Sequence, residues 1–68
     1  MNDIDTLKSL TIQAETYYSQ GLLEEAKDKY SDLLKFIEQN EKFSNNRSLV
    51  ESISDKINQI DDEVAEID

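Results

Sequence analysis

The chain has 68 residues, room for one small domain, and its 37% apolar and 34% charged residues place it among folded, soluble chains rather than disordered ones. Seven basic residues against sixteen acidic ones leave a formal charge of −9, which argues against nucleic acid and anionic membranes as partners, since both call for clustered Lys and Arg. Cysteine and histidine are absent, which removes disulfides, thiolate zinc sites and the commonest catalytic bases and nucleophiles.

There is no proline and a single glycine, so little interrupts helix formation. The first predicted helix covers about 4–20 and starts behind Asp3 or Asp5, either of which can cap free amide hydrogens. Ile4, Leu7, Leu10, Ala14, Tyr17 and Tyr18 recur at spacings of three or four, one face of a helix. Gly21 follows where that stripe stops, and it can supply the left-handed conformation of a helix end.

The second helix is predicted over about 22–40. Leu23, Ala26, Tyr30, Leu33, Leu34 and Ile37 form its stripe, and Glu24 and Glu25 suit the positive end of its dipole. Ala14 and Ala26 are small enough to let the two helix backbones approach closely. The polar stretch 43–48 holds the second connection.

A third helix is predicted over about 47–67, with Val50, Ile53, Ile57, Ile60, Val64 and Ile67 in alternating steps of three and four and Leu49 widening the seam. Two readings of that seam stand: a third bundle helix packing on the first two, which is favoured, or a coiled-coil dimer seam. The fold class is therefore all-α, an up-down-up three-helix bundle over 1–68. Tyr17, Ala26, Tyr30, Leu33, Ile53, Ile57 and Ile60 are expected in its core. The chain stops in mid-pattern at Glu66, Ile67 and Asp68, which suggests a piece of a longer protein.

Ala14, Tyr17, Gly21, Ala26 and Tyr30, with Leu23 in a large-apolar place, resemble a tetratricopeptide-repeat hairpin from near Leu7 to Asn40. The pattern departs from that family at Leu10, where tryptophan is frequent, at Leu33, where alanine is preferred, and in lacking a closing proline. One hairpin cannot bury its own apolar faces, and here the third helix covers it. That arrangement is similar in shape to the microtubule-interacting-and-trafficking domain. The resemblance implies a protein-interaction role.

Some tetratricopeptide domains grip acidic C-terminal peptides with lysine and asparagine on the first helix. The corresponding surface here carries Lys8, Thr11, Ile12, Glu15, Tyr18 and Ser19, and cannot form that carboxylate clamp. No segment provides the oxygen ligands and central glycine of a calcium loop, and no glycine-rich phosphate loop exists. The acidic run Asp61, Asp62, Glu63, Glu66 and Asp68 reads as solvated surface. No catalysis, metal or cofactor is expected.

The functional expectation is an adaptor or docking domain in the cytoplasm, monomeric, binding a helical or extended protein segment with apolar anchors and basic flanks. The groove beside the third helix is the expected site. Candidate contacts are Ile12 and Tyr18 on the first helix, Phe36 on the second, and Lys56 and Gln59 on the third. Tyr18 has a plainer reading as a core or boundary residue, and Phe36 with Phe43 as a flap over the lower bundle. The alternative function is oligomerisation through the third-helix seam; an acidic inhibitor or nucleic-acid mimic is a third class.

Overall fold

The computed structural model describes residues 2–67. Three helices follow one another: α1 (Asp3–Ser19), α2 (Leu23–Gln39) and α3 (Arg47–Ile67). No strand occurs among the described residues. Asp68, part of the acidic run, lies outside them.

Several helix boundaries have a local cause. α1 is capped by Asn2, not by Asp3 or Asp5: the Asn2 Oδ1 accepts from the Asp5 amide at 2.8 Å, and both aspartates fall in the first turn, where the dipole favours them. At the other end Gly21 adopts φ +78°. The Leu22 amide donates to the Tyr17 carbonyl and the Gly21 amide to the Tyr18 carbonyl, both at 3.0 Å. This pair of bonds satisfies carbonyls that the helix end would leave open, and it turns the chain back on itself.

The second connection is a tight polar turn. The Phe43 and Ser44 amides both donate to the Asn40 carbonyl, and the Asn40 Oδ1 accepts from the Lys42 amide at 2.9 Å. Asn46 then caps α3, its Oδ1 accepting from the Leu49 amide at 3.1 Å. Arg47 and Ser48 thus belong to α3, and the turn closes at 40–46.

Ala14, Ala26, Tyr30, Leu33, Ile37, Ile53 and Ile60 form the core. Four of these seven lie on α2, because α2 is the middle element and serves both neighbours. Ala14 and Ala26 are completely enclosed, as expected for small residues where two helices meet. No Cα of α1 comes within 8 Å of one in α3 among the described residues. The molecule is consequently flattened, 38 × 22 × 14 Å, and its 12.2 Å radius of gyration exceeds the roughly 11 Å of a compact chain this size.

That openness corrects part of the expected core. Ile57 is only half-buried, because α2 alone approaches the α3 backbone. Tyr17 is half-buried as well. Tyr17 and Tyr18 straddle the line through Ala14, about 60° to one side and about 40° to the other, so a single neighbouring helix cannot enclose both rings. Ile4 lies about 80° around α1 from Ala14 and is 54% exposed. Ile67 is 74% exposed: α3 has 21 residues against 17 in α2, about 6 Å of extra rise, and its last turn meets only the Gly21 turn and the first turn of α2.

Candidate functional site

The geometry of interest is the trough between α1 and α3, floored by α2. Its backbone walls stand apart, and side chains alone bridge it near the end of α1. The Tyr18 hydroxyl donates to the Glu63 Oε1 at 2.7 Å and accepts from the Gln59 Nε2 at 3.1 Å. Gln59 also donates to the same Glu63 oxygen at 3.2 Å. The Lys56 ammonium stands 4.1 Å from the centroid of the Tyr18 ring, a cation held against the negative face of the π-system.

The α3 residues of this cluster occupy one flank of their helix. Lys56, Gln59 and Glu63 are spaced by three and four, and lie beside the stripe of Ile53 and Ile60 that is buried against α2. On α1, Tyr18 follows Ala14 by one turn, offset toward α3. One face of each helix packs on α2, and its edge addresses the trough.

The hydrogen bonds set the protonation states. The bond from Tyr18, and secondly that from Gln59, hold the Glu63 carboxyl below its ordinary value. The same bond to Glu63, reinforced by desolvation, raises the Tyr18 phenol above its own. The neutral phenol facing a carboxylate is therefore the stable pair over the whole neutral range.

Of the five residues singled out from sequence, the fold brings Tyr18, Lys56 and Gln59 together and leaves two elsewhere. Ile12 precedes Ala14 by two residues, about 200° of helical rotation, so it points away from the core and is 61% exposed. Phe36 sits toward the opposite end of α2 and pairs with Phe43, ring centroids 6.2 Å apart at 40°. Phe43 packs against the core from the 40–46 turn, so this pair is a flap over that end of the molecule. Glu63 belongs to the Tyr18 cluster and was not singled out. Its spacing from Lys56 and Gln59 along one flank was the available signal, hidden within the acidic run.

Two depressions mark the surface of the described residues. One, of about 460 Å³, is lined by Glu38, Ser44, Asn45, Arg47 and Val50 beside the 40–46 turn. The other, of about 390 Å³, lies at the Gly21 end. Among the described residues no three acidic side chains converge as a metal site, and no helix is long and apolar enough to cross a membrane.

Comparison with family models, with curated proteins and with solved structures gives no match for this chain.

Proposed function

We propose that this chain is a non-catalytic protein-interaction domain, of the adaptor or docking type, which takes a helical or extended protein segment in the trough between α1 and α3. The observation that carries this reading is the Tyr18 bridge. Two helix walls whose Cα atoms stay more than 8 Å apart among the described residues are linked through the Tyr18, Lys56, Gln59 and Glu63 side chains. Such side chains exchange partners at little cost, since each is at least partly solvated already. The ring of Tyr18 offers an apolar body with a polar tip to an incoming anchor. Glu63 and the excess of acidic residues suit basic flanks, which speed association and make it salt-sensitive.

The enclosed Ala14 and Ala26, and the Gly21 turn, support the tetratricopeptide-like reading of the hairpin, with α3 as the added helix of a microtubule-interacting-and-trafficking-like arrangement. The cytoplasm is the setting that suits a cysteine-free acidic chain. Oligomerisation through α3 draws less support, because Ile53 and Ile60 are already enclosed within the chain.

Amide-shift mapping tests the proposal. Basic amphipathic helical peptides should shift Tyr18, Lys56 and Gln59 saturably, and Tyr18→Ala should weaken them. Shifts that track only salt, or that spare both trough walls, would reject it.

A further inference from the structure

At the Gly21 end the surface carries a notch of about 390 Å³ in which aliphatic side chains meet acidic ones. Leu22 and Leu23 come from the α1–α2 turn and the start of α2, and Val64 and Ile67 from the last turns of α3. Leu22 is 42% and Ile67 74% exposed, so two large aliphatic side chains at one place remain in water. Glu24 and Glu25 line the same notch. An exposed apolar patch rimmed by charge is the usual form of an interaction site.

The local charge selects the occupant. α3 has no basic residue in its last turn, where the helix dipole favours one. The end of α3 carries Asp61, Asp62, Glu63 and Glu66 instead. Lys27 meets Asp61, and Tyr18 and Gln59 serve Glu63. Glu24, Glu25, Asp62 and Glu66 have no ion-pair partner among the described residues. Acidic side chains of α2 without an ion-pair partner therefore line the notch, and further ones stand on the last turns of α3.

We infer that this pole is a second docking point, which takes a protein segment presenting one aliphatic or aromatic anchor next to lysine or arginine. The inference rests on the reading of the chain as a protein-interaction domain. The anchor fills the space between Leu22 and Ile67, and the adjacent cation meets Glu24 and Glu25.

The test titrates the isotopically labelled chain with an amphipathic leucine–lysine model peptide, and in parallel with polylysine. The leucine–lysine peptide should shift the amides of 21–25 and 64–67. Ile67→Asn, at an exposed position that the fold does not need, should weaken that binding roughly tenfold with an unchanged melting temperature. Replacing Glu24 and Glu25 by glutamine should weaken it several-fold and flatten its salt dependence.

Shifts confined to Tyr18, Lys56 and Gln59 would overturn the pole site and leave the trough standing. Equal shifts from polylysine, or an affinity indifferent to Ile67→Asn, would also overturn it. Self-association abolished by Ile67→Asn would overturn it in favour of a second copy of this chain. No saturable shift anywhere would remove both sites.

Discussion

Tyr18 on α1 and Glu63 on α3 are joined by a 2.7 Å hydrogen bond across a trough that no backbone contact spans. With the Gln59 bond and the Lys56 contact at the same tyrosine, it ties together the two outer helices of a flattened three-helix layer. It also couples the trough to pH through one carboxylate.

Removing the phenol hydroxyl should therefore be visible at Glu63. In the folded chain Glu63 titrates below its ordinary value, first because of Tyr18 and then because of Gln59. A depressed carboxylate contributes stability above its unfolded pKa and loses it as pH falls through the folded one. Tyr18→Phe keeps the ring under Lys56 but deletes that donor. Carboxyl-detected titration should show Glu63 moving up toward the ordinary glutamate value. Denaturant midpoints compared at about pH 7 and about pH 3 should show a smaller acid loss in the variant than in the parent. An unmoved Glu63 titration would mean that the bond is not held in solution.

Gly21→Ala tests the hairpin turn. A Cβ at this position meets nothing within 4 Å, so the cost comes from φ +78° alone. A left-handed alanine costs roughly 1–2 kcal/mol. The melting temperature should fall by about 4–8 °C for each kcal/mol in a domain of this size. Gly21→Asn should fall less, since asparagine tolerates that conformation better.

Ala26→Leu should overpack the contact between α1 and α2, where Ala14 and Ala26 are both fully enclosed, at a cost of about 1–3 kcal/mol. Ile12→Ser gives the contrast, because Ile12 faces water; its effect should stay within about 0.5 kcal/mol. Urea unfolding of both variants checks the pair. A loss at Ile12 as large as at Ala26 would contradict the orientation of α1.

Leu33→Ala removes a completely buried side chain from the middle helix and should cost about 2–5 kcal/mol. Ile57→Ala should cost distinctly less, because Ile57 is half-buried on the uncovered side of α3. Chemical denaturation measures the difference. Equal losses would imply that Ile57 is enclosed as fully as Leu33.

Three helices and the centre of each buried stripe were legible in the sequence. Most apolar positions recur at helical spacing, no proline interrupts them, and a single glycine stands where the first turn needs φ > 0. Those are local properties of the chain, fixed by backbone sterics and by the period of the helix. The pairing of Ala14 with Ala26 was legible for the same reason, since small residues on two stripes mark where helices can meet.

Tertiary structure decided how far the third helix covers the first two, and with it the candidate site. Periodicity says which side of a helix seeks a partner, but not how many partners it finds. α2 took both neighbours, so Ile57 and Tyr17 kept some contact with water. The meeting of Tyr18 with Glu63 spans 45 positions of sequence. The separation between α1 and α3 sets it, because only a gap too wide for backbone contact leaves room for a phenol and a carboxylate between them.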